Sequence, residues 1–277
     1  MRDLNVVVTG ASSGIGRATA VVLAEKGARV TAVARSRGPL DELAAAHPGI
    51  TAAVGDLMLD ADRAAVLAGA GPVDVLVNNA GLGWVGTVQE MPPAQVRKLF
   101  ELNVLALVDL TQRVLPGMVE RRRGHVVNVA SVSSWVAIPP LTVYSATKFA
   151  VQGFSDGLRR ELAGSGVRVT TVNPGPVATR FGARATFDDP ATEGMDDATM
   201  PGVPAALVAR AVARAIRRGR LPGYTAVAVP RVAGLVRLGA LPGARFAVDA
   251  FALAAGSTRA STLRGGGGQD GGGPPAP

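Results

Sequence analysis

The sequence predicts an α/β fold: a doubly wound parallel sheet with helices on both faces, in a single domain with a C-terminal amphipathic extension. Three observations carry this prediction. Short apolar runs alternate with stretches of helical periodicity from residue 4 to residue 172, the order that builds parallel β–α–β units. The apolar runs are nearly uninterrupted, as in Leu4–Val8 and Val73–Val77, which is the pattern of strands covered on both faces. Most of these runs end in a polar or glycine-rich turn, at the sheet edge where such folds bind ligands.

Composition sets the bounds. With 277 residues, 48% of them apolar, the chain suits one large domain with a sizeable core. It has no cysteine, so disulfides and thiolate-ligated metals are excluded, and two well-separated histidines, His47 and His125, make no metal site. Met1-Arg2-Asp3 leads directly into the short run Leu4–Val8, which is too brief for a secretory signal or a membrane span. No uninterrupted apolar run is long enough to span a membrane, so a cytoplasmic location is expected. The net charge of +8 is uneven: residues 1–200 are balanced, whereas residues 201–264 hold ten arginines against Asp249 alone. Nucleic-acid binding is not expected, because no basic stretch is interleaved with stacking aromatics. An anionic membrane surface or an acidic partner fits this charge better, and solvated arginine faces are the plain alternative.

Leu4–Val8 reads as the first strand, and Arg17–Lys26 as a helix stopped by Gly27. Between them lies Thr9-Gly10-Ala11-Ser12-Ser13-Gly14-Ile15-Gly16. Glycines on a strand–turn–helix let the backbone approach a pyrophosphate, which then meets the N–H groups of the helix start. The spacing G-x3-G-x-G differs from the G-x-G-x-x-G of two-domain dehydrogenases, and the alternative is an ordinary βα turn. The second strand, Arg29–Ala34, runs into Arg35-Ser36-Arg37. A site selective for NAD places a carboxylate there for the ribose 2′-OH. Here none is present and a guanidinium is available for a 2′-phosphate, which points to NADP(H).

A short helix over 39–47 and a third strand, Ile50–Val54, lead to Gly55-Asp56-Leu57, where Asp56 could accept from an adenine amino group. After a helix over 60–68, a fourth strand, Val73–Val77, ends in Asn78-Asn79-Ala80-Gly81, a small polar turn against which a cofactor could lie. Residues 93–118 read as one long helix, with Asn103 a lone amide in an apolar run. That amide must find partners: it kinks the helix and holds a water, or it bonds a neighbouring carbonyl. A fifth strand, Gly124–Val129, ends in the serine-rich Ala130–Ser134.

The chain has only two tyrosines and three lysines, and Tyr144 stands four residues before Lys148 at the start of a helix running to about Leu162. On a helix these two side chains stack on one face. The ammonium is then expected to draw the phenol below its usual pKa of about 10. Taken alone, the pair also fits an ordinary surface contact. A sixth strand, Val167–Val172, ends in Asn173-Pro174-Gly175-Pro176-Val177-Ala178-Thr179.

Together, TGASSGIG at 9–16, Asp56, NNAG at 78–81, Asn103, Ser131, YSATK at 144–148 and NPGPVAT at 173–179 resemble the short-chain dehydrogenase/reductase family, in its compact single-domain branch. The motifs occur in the family's order and spacing and cover roughly residues 3–220. The resemblance implies a Rossmann-like domain over residues 1–229 and interconversion of a small-molecule carbonyl and alcohol by hydride transfer with NADP(H). It makes Tyr144 the general acid/base and gives Lys148 the tasks of tuning it and holding the nicotinamide ribose. Ser131 would bond the substrate oxygen, and Asn103 would hold a water linking Lys148 to bulk solvent. The cofactor would lie along Gly10, Ser12, Ser13, Gly14, Ile15 and Gly16, then Arg35, Asp56 and Leu57. It would continue past Asn79, Ala80 and Gly81 to Tyr144, Lys148, Pro174, Gly175, Val177 and Thr179, the last bonding the carboxamide. The helices at 94–118 and 143–163 resemble those through which family members pair, so a homodimer or homotetramer is expected.

Beyond Thr179 the resemblance thins. Residues 180–203 read as a substrate lid with a few apolar anchors, 204–218 as a helix with arginines on one side, and 224–229 as the last strand. Residues 230–255 form an amphipathic extension that packs on its own domain or a sister subunit, walls an apolar pocket, or lies on a membrane as a peripheral contact. Residues 256–277, rich in Gly, Ser and Pro, are expected to be disordered. The apolar lid and extension point to a lipophilic substrate of steroid-like, acyl or polyketide-like type. A 3-oxoacyl-carrier-protein reductase and a non-catalytic NADP(H) sensor are the rival readings.

Overall fold

Val6, Val7 and Val8 are fully enclosed, and enclosure on both sides requires a layer of helices above and below the strand. A computed structural model describes residues 1–137, 139–178, 202–218 and 226–230, and supplies both layers. In chain order the elements begin β1 (Asn5–Thr9), α1 (Gly14–Glu25), β2 (Arg29–Ala34), α2 (Arg37–Ala46), β3 (Ile50–Val54), α3 (Asp60–Ala70) and β4 (Val75–Asn78). They continue through α4 (Pro93–Phe100), a π turn (Glu101–Leu105), α5 (Ala106–Glu120), β5 (Gly124–Val129), a 3-10 turn (Val132–Ser134), α6 (Thr142–Glu161) and β6 (Val167–Pro174). The last are β7 (Val177–Ala178), β8 (Val203–Pro204), α7 (Ala205–Arg218) and β9 (Ala226–Val229). Thr179, almost all of the expected lid, the extension from residue 231 and the tail lie outside the described residues.

Seven strands form one sheet in the order β3-β2-β1-β4-β5-β6-β9, every pair parallel. Alternate residues of each strand face opposite layers. Val6, Val8, Val75 and Val77 meet Ala20 and Leu23 of α1, Leu40 and Leu43 of α2 and Val208 and Val212 of α7. Val7, Leu76 and Val126 meet Val66 of α3, Leu110 and Met118 of α5 and Leu158 of α6. The expected doubly wound sheet is therefore present. Because β2 and β4 flank β1 on opposite sides, the chain's winding reverses there and opens a crevice at the carboxyl ends of β1 and β4. A two-stranded piece, β7 with β8, lies beside it in sequence after β6.

Several boundaries differ from the sequence reading. The first helix starts at Gly14 rather than Arg17, so the glycine turn itself supplies the first helical residues. The fourth strand is shifted to Val75–Asn78, although Asp74 already joins the ladder through its N–H to the Asn5 carbonyl. The helix expected over 93–118 is interrupted by the π turn centred on Asn103 and runs on to Glu120. By length and apolar content Pro93–Glu120 could cross a membrane. It packs on the sheet through Ala106, Leu107, Leu110, Val114 and Met118, as a core helix does.

Candidate active site

Two turns face each other across the crevice. The first follows β1. Gly10 has φ of +67°, and a β-carbon on Gly16 would stand 2.2 Å from the Gly10 carbonyl oxygen and 2.5 Å from Asn79 Nδ2. Only glycine fits either place. The second turn follows β4 and is latched to the first through Thr9. The N–H groups of Asn79 and Ala80 donate to Thr9 Oγ1 at 2.9 and 3.0 Å, and that hydroxyl donates to the Val77 carbonyl at 3.3 Å. Asn79 Nδ2 donates to the Thr9 carbonyl at 2.9 Å. Asn78 points the other way, donating to Asn128 Oδ1 and Thr111 Oγ1, and so braces the sheet. Ser12, Ser13, Gly14 and Ile15 are half-buried, and α1 has no acidic residue in its first turn. A tight glycine backbone at an uncompensated helix start fits a pyrophosphate.

The far end of the crevice is set by β2 and β3. Arg35 follows β2 and is exposed, with no carboxylate from residue 34 to 37. Asp56 accepts from the Met58 N–H at 3.0 Å and donates its own N–H to Asp62. Leu57 is buried, and its carbonyl accepts from Arg63 Nη1 at 2.7 Å. The sequence reading missed Arg63. It is nearly buried, and it also reaches Asp109 of α5 at 2.7 Å and Glu101 of the π turn at 3.6 Å.

The reactive cluster stands at the crevice's other end. Ser131 follows β5 and caps the 3-10 turn, its Oγ accepting from the Ser133 N–H at 3.1 Å. Tyr144, in the first turn of α6, is buried and hydrogen-bonded to Ser131. Lys148, one turn later, is buried too. Its Nζ donates to the Val129 carbonyl at 3.1 Å and stands 5.6 Å from the centre of the Tyr144 ring. Asn103 Oδ1 accepts from the Leu82 N–H at 2.8 Å, and its Nδ2 donates to the Leu82 carbonyl and to Thr147 Oγ1. Thr147 in turn donates to the Tyr144 carbonyl at 2.7 Å. Gly81 is wedged between Asn103 and Lys148: a β-carbon there would be 3.1 Å from Asn103 Oδ1 and 3.8 Å from Lys148 Nζ. Trp84, Met91 and Leu99 pack with Tyr144 as an apolar wall.

One electrostatic expectation is reversed. Burial pushes the Tyr144 phenol up to about 12, against the opposing pull of the Ser131 hydrogen bond, and pushes the Lys148 ammonium down to about 8. The two side chains do stack one turn apart as the spacing predicts, but loss of water outweighs their attraction. The Asn103 amide is engaged by protein groups on two elements, and so acts as a clamp between the 81–82 loop and α6. Pro174 ends β6, Gly175 N–H donates to the Val229 carbonyl and Val177 pairs with Val203. Thr9, Thr147 and Arg63 are the additions to the predicted set. A hydroxyl at the end of β1 and one three residues after Tyr144 were visible in the sequence, but their partners were not.

Residues 4–189 match the short chain dehydrogenase family. The chain is 36% identical over 250 residues to dehydrogenase/reductase SDR family member 7B of Mus musculus, covering 86% of this chain and 77% of that protein. It is 39% identical over 185 residues to retinol dehydrogenase 8 of Homo sapiens, covering 64% and 60%. Among solved structures, a short-chain dehydrogenase from Sphingobium yanoikuyae in complex with NADPH superimposes with a TM-score of 0.75 at 30% identity, over 88% of this chain and 94% of that one. A short-chain dehydrogenase/reductase from Burkholderia phymatum in complex with NAD gives 0.75 at 26% identity, over 86% and 92%. With the sheet order and the glycine cradle, these matches establish that the chain belongs to the short-chain dehydrogenase/reductase family of oxidoreductases, whose fold binds a nicotinamide cofactor.

Proposed function

We propose that this oxidoreductase is an NADP(H)-dependent carbonyl reductase, acting as an alcohol dehydrogenase in the reverse direction, on a lipophilic small-molecule substrate. The observation that carries the reading is the burial of Ser131, Tyr144 and Lys148 in one cluster beside the glycine cradle. When bound, the nicotinamide supplies the hydride. Ser131 and Tyr144 hold the substrate oxygen, and Tyr144 delivers the proton to it. A phenol kept protonated by burial suits a proton donor. Lys148, charged below about pH 8, faces the negative charge left on that phenol. Asn103 fixes the Tyr144–Thr147 turn of α6 through its clamp and is a positioning residue.

The choice of NADP(H) over NAD rests on Arg35, whose exposed guanidinium stands where no carboxylate would repel a 2′-phosphate. A lipophilic substrate is supported by the Trp84, Met91 and Leu99 wall beside Tyr144 and by the retinol named for one relative. A homodimer is supported by exposed apolar side chains on adjoining helical segments, Leu105 of the π turn and Phe149 of α6.

The test is depletion of NADPH, followed by its near-ultraviolet absorbance, with a panel of lipophilic aldehydes and ketones, repeated with NADH. Turnover preferring NADPH is expected. Arg35→Asp should raise the KM for NADPH about tenfold to a hundredfold, as loss of a charge-assisted phosphate contact does. An unchanged preference in that variant would remove Arg35 from the site. Tight NADPH binding with no carbonyl turned over would replace this reading with a sensor.

A further inference from the structure

α7 is charged on one side only. Its apolar side, including Val208, Val212 and Ile216, is buried against the sheet and α1. Its outer side carries Arg210, Arg214, Arg217 and Arg218, all exposed. Their spacing places them in a single stripe along the helix. The helix contains no acidic residue. Among the described residues none of the four has an ion-pair partner. Arg217 and Arg218 suit the negative end of the helix dipole, but Arg210 and Arg214 lie too far from it for that account. The stripe belongs to a wider asymmetry, since residues 201–264 hold ten arginines against one carboxylate while residues 1–200 are balanced.

Several partners fit poorly. A second copy of this chain meeting it through the same face would, under two-fold symmetry, set the stripe against itself. Single-stranded nucleic acid calls for aromatic side chains among the basic ones, and the outer side of α7 has none. The sequence after α7 mixes Arg231, Arg237 and Arg245 with Leu235, Phe246 and Phe251, a combination of charge and apolar side chains that suits lipid.

We propose that the arginine stripe of α7 docks the protein on an anionic phospholipid surface. The attachment is electrostatic, because the apolar side of the helix stays in the core. α7 begins directly after β8, which is paired with β7 just beyond the carboxyl end of β6. α7 runs back from there toward the amino end of β6, where Arg168 Nη1 donates to the Ile216 carbonyl at 3.2 Å, so docking lays that flank of the sheet along the bilayer. The proposal does not depend on the identity of the substrate or the cofactor.

The experiment is flotation of the full chain with phosphatidylcholine vesicles, alone or containing about a quarter phosphatidylserine, at low and high salt. Binding is expected only with phosphatidylserine and should fall as salt rises. The triple variant Arg210→Gln, Arg214→Gln, Arg217→Gln should lose about a hundredfold in affinity while keeping the wild-type melting temperature and NADPH binding. If the triple variant does not fold, Arg214→Glu alone should lose roughly thirtyfold. Equal binding to uncharged vesicles, or full binding by the folded variants, would overturn the proposal. So would capture by polyglutamate with no vesicle binding, which would assign the stripe to an acidic protein.

Discussion

At Tyr144 the loss of water outweighs the cation one turn away, and this sets what substitutions there should do. Tyr144→Phe removes the proton donor and leaves the cofactor cradle intact. Turnover should fall by about two to four orders of magnitude, the usual weight of a positioned acid, with NADPH affinity retained. Lys148→Ala should weaken both, since Lys148 serves the phenol and lies beside Gly81 of the cradle. Equal loss of NADPH affinity in the two variants would contradict the division of roles. Because burial lowers Lys148 to about 8, it is charged below that pH and neutral above it. The kcat of carbonyl reduction should hold level below pH 8 and decline above it. A flat profile to well above that point would detach Lys148 from the proton step. The spacing of Tyr144 and Lys148 is a local fact of the sequence, whereas Ser131 and Asn103 were singled out there by the family resemblance, and the structure brings all four together. The direction of the Tyr144 shift was not legible, because spacing reports which side chains are neighbours and says nothing of how much water reaches them.

The elements show the same division. The strands of the seven-stranded sheet were legible, the inner ones because a doubly covered strand writes its own apolar run, whereas the edge strand β3 is partly exposed. The π turn was legible only as the lone amide Asn103 in the apolar run of 93–118, which fitted a kink or a bond to a neighbouring carbonyl and did not mark an inserted residue. The tie that Arg63 makes from α3 to the loop after β3, the π turn and α5 was not legible, because its acceptors lie up to 46 residues away in sequence. That tie positions the Leu57 carbonyl beside Asp56. Arg63→Met should raise the KM for the cofactor with little change in kcat, and should cost about 3 kcal/mol of stability, as breaking a buried ion pair does. Arg63→Lys should recover part of the KM. A lower melting temperature with an unaltered KM would reduce the tie to a structural brace.

For the whole molecule, β–α alternation announced the doubly wound parallel sheet and the binding of ligands at its carboxyl ends, whereas the strand order that places the crevice between β1 and β4 is read only from the fold. Pairing with a second copy is a property of surfaces, and is legible only once the fold shows which apolar residues stay outside. Along α6, Phe149 is followed at helical spacing by Gly153, whose β-carbon would meet nothing within 4 Å. On the proposed homodimer, Gly153→Leu should therefore leave the subunit folded yet yield monomer in sedimentation. A wild-type protein that already sediments as a monomer would dispose of the homodimer. The latch between the two turns, finally, bears on how this chain can change over generations. A β-carbon on Gly16 would collide with the Gly10 backbone carbonyl at 2.2 Å, and no second substitution can move a backbone atom out of its path without opening the turn. Gly38, beside the arginines at the end of β2, has nothing within 4 Å of the same atom. Side chains can be added at Gly38 without a clash, but the glycine turn after β1 is closed to drift.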